Sequence, residues 1–243
     1  MIVRRRVGLL GGTFDPIHVG HMAAAVEACI TLQLDEVLLL TSHVPPHRAQ
    51  PAASVHHRFA MAALAIQDAQ TLRASDIELL APGPSYTAAT LQRLHAQGYS
   101  PAQLFFITGA DAFAEIATWR HYPHFLDAAH FVVVDRPGRP ATSMREVLPA
   151  LAPRMRDAPL TGSPANDSSG GTVIFLVNRP TPDVSSTAIR ARCAEGRPIT
   201  GLVPPAVERH IDRHALYRTR DASASPADSE GRSASLLHEQ EHL

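Results

Sequence analysis

Several short runs of consecutive apolar residues punctuate the chain, each followed by a longer helical segment. Val37-Leu-Leu-Leu40 and Phe131-Val-Val-Val134 are the clearest. A strand with one wet face alternates apolar and polar side chains, whereas a strand covered on both faces has no need to. Continuous runs separated by crossover helices therefore predict a parallel sheet with helices on both sides. The strands read as Val7–Leu10, Glu36–Thr41, Leu104–Thr108, Phe131–Val134 and Thr172–Val177, with a less apolar candidate at Ile77–Leu80. The helices read as Val19–Gln33, Val55–Ala69, Thr87–Gln97 and Ser185–Glu195, and Gly98 and Gly196 are expected to end two of them. The expected fold class is α/β: a doubly wound, Rossmann-like parallel sheet. Ligands of such sheets bind beyond the carboxyl ends of the strands, where strand order reverses. The loops after the strands are therefore the places to search.

Composition excludes several chemistries at once. All 22 cationic side chains are arginine, so no lysine can form a Schiff base or anchor pyridoxal phosphate. A phosphate loop ending in Gly-Lys-Ser/Thr is excluded for the same reason. Phosphate, if handled, must meet arginine, histidine, backbone N–H groups and helix N-termini. A formal net charge of −1 carries no nucleic-acid signature. Cys29 and Cys193 lie far apart, which argues against a disulfide framework or a cysteine zinc site and fits a reducing compartment. No apolar run approaches the ~20 residues that span a bilayer. The basic start at Arg4–Arg6 is followed by an apolar stretch too short for a secretion signal. A cytoplasmic protein is expected, with residues 1–220 forming one domain. Residues 157–171 are expected to be a flexible surface loop, and the polar residues 221–243 a disordered tail.

Gly11-Gly-Thr-Phe-Asp-Pro-Ile-His-Val-Gly-His21 follows the first strand and opens the first helix. Adjacent glycines allow a sharp turn and close approach of backbone N–H groups to a ligand. A helix start adds unpaired donors and positive potential, which suits phosphate. His18 and His21 are spaced to share one face of that turn. Alone, such a histidine pair is equally compatible with metal ligation or a solvated helix start. The whole string resembles the nucleotidyltransferase superfamily signature, in which a strand-to-helix turn carries His-x-Gly-His. Further on, Ser185-Ser-Thr-Ala-Ile-Arg190 opens another helix. Its hydroxyls can cap free N–H groups or contact an anion, and Arg190 can grip phosphate oxygens in a bidentate manner. On its own it reads as a capped helix with a surface arginine. Paired with the first string, it resembles the superfamily's second signature, which holds the β- and γ-phosphates of ATP.

The intervening loops carry Pro45-Pro-His47-Arg48, Tyr86-Thr87-Ala88, Gly109-Ala110-Asp111, Trp119-Arg120 and Asp135-Arg136. Thr87 is a candidate helix cap. Trp119 suits either stacking on a flat ring or ordinary core packing. Together these segments resemble the bacterial nicotinate-nucleotide adenylyltransferases over about Val7 to Tyr217. The resemblance implies transfer of the adenylyl group of ATP to nicotinate mononucleotide, giving deamido-NAD and pyrophosphate in NAD biosynthesis. It implies catalytic roles for His18, His21 and Arg190. It implies ATP contacts at those three residues and at Gly11, Gly12, Thr13, Phe14, Gly109, Asp111, Ser185, Ser186 and Thr187. It places Thr13, His47, Arg48, Tyr86, Thr87, Ala88, Trp119, Arg120 and Arg136 at the mononucleotide. Mg²⁺ is expected to accompany ATP, held mainly by phosphates and water, and no residue is assigned as a metal ligand. The expected partners are ATP and nicotinate mononucleotide, without nucleic acid or membrane, and the oligomeric state is left open.

The chain departs from the family pattern at three places. His43 stands where asparagine is frequent, Arg120 follows the tryptophan in place of an aromatic residue, and Ala112 replaces a serine after Asp111. Rival readings are an adenylyltransferase for nicotinamide mononucleotide or phosphopantetheine, a cytidylyltransferase, and a non-catalytic nucleotide-binding protein. His18 speaks against the phosphopantetheine enzymes, which usually carry threonine there.

Overall fold

The computed structural model describes residues 5–45, 50–81, 83–158 and 171–218. His47, Arg48 and the expected tail lie outside them. Seven strands form one sheet: β1 (Val7–Gly12), β2 (Glu36–Thr41), β3 (Leu72–Ser75), β4 (Leu104–Gly109), β5 (His130–Val134), β6 (Met155–Ala158) and β7 (Ile174–Val177). Their order is β3-β2-β1-β4-β5-β7-β6, and every adjacent pair is parallel. Strand order reverses between β1 and β4, so the loops leaving Gly12 and Gly109 flank the cleft that a doubly wound sheet offers a ligand.

Alternate residues of the central strands feed two separate cores. Leu10, Leu39, Ile107, Val132, Val134 and Phe175 belong to one. Leu9, Leu40, Phe106, Phe131, Val133 and Leu176 belong to the other. The first is covered by α1 (Val19–Thr31), α2 (Val55–Ala65), α6 (Ser186–Ala194) and α7 (Pro205–Arg213). The second is covered by α3 (Thr87–Ala96), α4 (Ala110–Phe113), α5 (Met144–Val147) and short 3₁₀ turns. Burial of a large apolar side chain stabilises by roughly 1.5–3 kcal/mol. That explains the unbroken apolar runs of the wholly buried β5, after His130, and β7.

Two expectations about the sheet need correction. Ile77–Leu80 is a turn, and the strand lies just before it at β3, which pairs with β2. Glu78 in that turn is buried and accepts the Thr90 hydroxyl at 2.6 Å. Asp157 and Ala158, read as the start of a surface loop, close the edge strand β6, and residues 159–170 lie outside the described set. Helix ends are close to expectation. α1 stops at Thr31 and α2 at Ala65. Gly98 and Gly196 carry φ of +98° and +66°, the left-handed conformation that ends a helix.

Candidate active site

The first chemical string forms the loop between β1 and α1. Phe14 takes φ +51°, unusual for a residue with a side chain, and is almost wholly buried. Its ring lies over Gly12, where a Cβ would come within 2.6 Å of it, and meets His21 edge-on at 5.2 Å. Gly12 is therefore required by close packing, and a strained residue marks a loop whose shape is imposed from outside. His18 is the N-cap position of α1 and His21 lies in its first turn. Their rings stack with centroids 3.7 Å apart, and the His18 N–H donates to Nδ1 of His21 at 3.3 Å. Among the first amides of α1, Val19 donates to Leu202 O and His21 to His18 O. The Gly20 N–H has no backbone partner among the described residues.

His18 is 2 % exposed, and its Nδ1 has no hydrogen-bond partner among the described residues. A buried orphan nitrogen is costly and calls for a partner such as a water, an ion or a ligand group. Burial first, and then the nearby Arg136 guanidinium, push His18 down to about 4. The imidazole is therefore neutral at physiological pH. Gly20 makes room for it: a Cβ there would lie 3.1 Å from the His18 ring and 3.3 Å from Pro182 O. Gly20→Ala should displace His18 by a few tenths of an ångström. Alanine favours a helix by about 1 kcal/mol over glycine. Little loss of Tm is therefore expected, with turnover falling about tenfold through misplacement. Steady-state kinetics beside a melting curve would check this, and unchanged turnover would count against the positioning.

The second string docks on the first. Arg190 Nη1 donates to Asp15 O at 2.7 Å, and Nη2 donates to Thr187 Oγ1 at 3.3 Å. Ser186 Oγ donates to Pro16 O at 2.9 Å. Ser185 is the N-cap of α6 as expected, its Oγ accepting from Ala188 N at 3.2 Å. The start of α6 thus leans against the loop that carries His18 and His21, although about 170 residues separate the two strings. The N-terminal amides of α6 at Ser186 and Thr187 add to the donors at this edge.

Gly109 and Asp111 lie across the switch point at the end of β4. Arg136, after β5, joins them: its Nε is 3.9 Å from Asp111 Oδ2, and its side chain packs where a Gly109 Cβ would go. Arg136 is thereby part of the His18 neighbourhood. Trp119 is half-buried, edge-on to Phe106 at 6.0 Å and stacked on Phe125 at 6.1 Å. Phe106 in turn lies 3.5 Å from the Cβ position of Gly11, which links this aromatic group to the β1 loop. Arg120 is exposed, with its guanidinium 4.8 Å above the Tyr86 ring. Tyr86, Ala88 and Arg120 line one cavity of about 640 Å³ with Pro84, Arg93 and Phe125. Thr87 is the first residue of α3 and not its cap; Tyr86 holds that position without a side-chain bond. His43 joins the neighbouring loops, its N–H donating to Ser85 Oγ at 2.9 Å and its Nδ1 lying 3.2 Å from Ala81 O.

Three residues outside the expected set hold the β1 loop in shape. Arg58 on α2 is 1 % exposed and donates to the carbonyls of Thr13 (2.8 Å), Ser42 (2.7 Å), His43 (3.0 Å) and Ala53 (3.3 Å). Asp15 is buried and accepts from Ala52 N, Ala53 N and the Tyr217 hydroxyl at 2.7, 3.0 and 2.8 Å. Burial and the Asp15 carboxylate raise the Tyr217 phenol well above its ordinary value, so it remains a donor. One signal was present in the sequence. Arg58 shares the stripe of Met61 and Ala62, a cation on an otherwise apolar helix face.

His130, far from this loop, is also held down at about 4, by burial and then by Arg6 and Arg154. For His18 and His130 the unfolded chain binds a proton between about pH 6.5 and 4 while the folded chain does not. Stability therefore falls as pH drops through that window, by a few kcal/mol for the pair in order of magnitude. Tm is expected to decrease from pH 7 to pH 5, with a shallower slope in His130→Gln. A flat profile would contradict both assignments.

A family profile described as cytidylyltransferase-like matches residues 9–192. A probable nicotinate-nucleotide adenylyltransferase of Roseiflexus sp. (strain RS-1) is 42 % identical over 219 residues, covering 87 % of this chain and 98 % of the relative. A relative of the same name from Pseudomonas syringae pv. tomato is 39 % identical over 225 residues, covering 91 % and 98 %. The chain belongs to the nicotinate-nucleotide adenylyltransferase family. Its fold is also that of Plasmodium falciparum nicotinic acid mononucleotide adenylyltransferase, solved with NaAD. That likeness has a TM-score of 0.65 at 16 % identity, over 88 % of this chain and 97 % of the other. In this adenylyltransferase the fold brings the two signature strings together beside the switch point.

Proposed function

We propose that the chain transfers the adenylyl group of ATP to nicotinate mononucleotide, in one catalytic domain over residues 1–220. The reading rests on one observation above all. The stacked His18–His21 pair sits at the mouth of the switch point with Arg190 docked on the same loop. A mononucleotide phosphate is already an ionised nucleophile near neutral pH, so no general base and no covalent enzyme intermediate is needed. One of its oxygens forms a bond to the α-phosphorus of ATP in line as the bond to the β-bridging oxygen breaks. Pyrophosphate leaves with that electron pair. The protein aligns the reactants and stabilises charge on the transferring and leaving oxygens.

Neutral His18, together with His21, donates hydrogen bonds to the phosphates, joined by the Gly20 N–H and the α6 amides. Arg190 and Arg136 supply fixed positive charge that cannot be lost by deprotonation. Mg²⁺ accompanies ATP and neutralises phosphate charge. Asp15, the carboxylate of the first string, has its oxygens engaged by Ala52, Ala53 and Tyr217. Asp15 is therefore not free to ligate the ion, which the phosphates and water would hold. The paucity of cysteine supports a reducing, cytoplasmic setting.

Arg120 above Tyr86 supports an acidic base over an amide, because a guanidinium can neutralise a carboxylate. A pyrophosphate-release assay should favour nicotinate over nicotinamide mononucleotide, and Arg120→Ala should narrow that ratio by about tenfold, the worth of one charged contact. A preference for the amide would overturn the substrate assignment.

A further inference from the structure

On the face of the sheet that carries α1, one cluster of chemistry-bearing side chains is not used by the reaction. His57 lies in the first turn of α2, and His210 and His214 lie one turn apart at the C-terminal end of α7. The two helices pack together. His57 Nδ1 is 3.1 Å from His210 Nε2. Each of the three imidazoles offers one nitrogen, and all three nitrogens lie within 4.8 Å of one another. The rings are tilted or edge-on, with centroids 5.2, 4.9 and 4.5 Å apart, so they converge by their nitrogens and do not stack.

We propose that His57, His210 and His214 form a binding site for a late divalent transition-metal ion of the zinc class, which clamps α7 to α2. A tetrahedral ion with metal–nitrogen bonds of about 2.0–2.1 Å places its ligand nitrogens roughly 3.3 Å apart. The observed 3.1 Å already forms one edge of that triangle, and side-chain rotation of exposed His214 closes the others. Three imidazoles with no thiolate or carboxylate suit Zn²⁺, Co²⁺, Ni²⁺ or Cu²⁺ and not Mg²⁺ or Ca²⁺. His57 and His210 are half-buried, so two of the three ligands are already held by the α2–α7 packing. Exposure of His214 leaves the fourth position to water.

The site is placed to matter. His57 adjoins Arg58, which holds the β1 loop by its carbonyls, and α7 leads into Tyr217, which holds Asp15 of the same loop. An ion joining the two helices would brace both supports of the catalytic loop without touching substrate.

The full-length chain, stripped of metal by chelator and desalted, is titrated with Zn²⁺ by calorimetry and with Co²⁺ by visible absorption. We expect one Zn²⁺ per chain, a rise in Tm on binding, and the intense visible bands of tetrahedral Co²⁺. In His210→Gln and His214→Ala, affinity should weaken by more than the about 10–100-fold that losing even an outer-shell partner costs, and the Co²⁺ bands should vanish. His214 is exposed, so its variant should fold and decides the question if His210→Gln does not. Absence of saturable Zn²⁺ binding, or equal binding by wild type and His214→Ala, as ions held at His18 and His21 would give, overturns the proposal.

Discussion

His18→Ala and His21→Ala are each expected to lower turnover by two or more orders of magnitude while the protein stays folded. Loss of one preorganised donor to a charge-bearing oxygen costs about 10²–10³ in rate, or roughly 2.7–4 kcal/mol. Both rings are candidates for such donors, because they stack at the start of α1 beside a Gly20 amide that has no backbone partner among the described residues. The fold should tolerate either change. The His18 ring is buried with an orphan nitrogen, so alanine removes a desolvation cost as well as packing contacts. The double variant should lose less than the product of the single losses, since each ring positions the other. Single-turnover rates with saturating substrates, beside circular dichroism, would show this. Near-normal rates in both single variants would refute the assignment.

Arg58→Met should have the largest effect on stability. Four backbone carbonyls, from Thr13, Ser42, His43 and Ala53, take hydrogen bonds from this one guanidinium. Methionine matches the stem but supplies no donor, so buried acceptors are left without partners. Removing one side of such a network costs on the order of 3–5 kcal/mol. At about 2–4 °C per kcal/mol for a chain of this size, Tm should fall by on the order of 10 °C. Turnover should fall as well, because Thr13 and the ends of β1 and β2 are held through Arg58. Burial lowers the affinity of Arg58 for its proton, and Asp15 and Tyr217 oppose that, but the group stays charged at any working pH. Differential scanning calorimetry would measure the stability change; a Tm within a few degrees of wild type would show that water replaces the guanidinium.

The central sheet was legible because strands buried on both faces are built on continuous apolar runs, here Val37–Leu40 of β2, Phe131–Val134 of β5 and all of β7. Edge strands escape that rule. β3 reads Leu-Arg-Ala-Ser and β6 reads Met-Arg-Asp-Ala, each half exposed, so neither stands out from a turn. The neighbouring Ile77–Leu80 looked more strand-like, yet its buried member Glu78 is satisfied by Thr90 and not by a strand partner. The site was legible where chemistry is concentrated in short strings, at Gly11–His21 and Ser185–Arg190. Its supports were hardly so. Arg58 stands out only as a cation on the apolar face of α2, and the backbone carbonyls it serves leave no trace in residue identity. Tyr217 reaches Asp15 across 202 positions, a pairing that only the fold creates. Thr87 illustrates the opposite error: a good capping residue placed one position inside the helix it seemed to start.

Following the phosphorus of ATP tests the account most directly. The purified full-length chain is given nicotinate mononucleotide, Mg²⁺ and ATP labelled at either the α- or the γ-phosphate. The predicted result is α-label in deamido-NAD and γ-label in pyrophosphate, in equal amounts, with both formed at least about 10²-fold more slowly in His18→Ala. Transfer of γ-label to the mononucleotide, release of γ-label as inorganic phosphate, or no dinucleotide at all would contradict adenylyl transfer at this site.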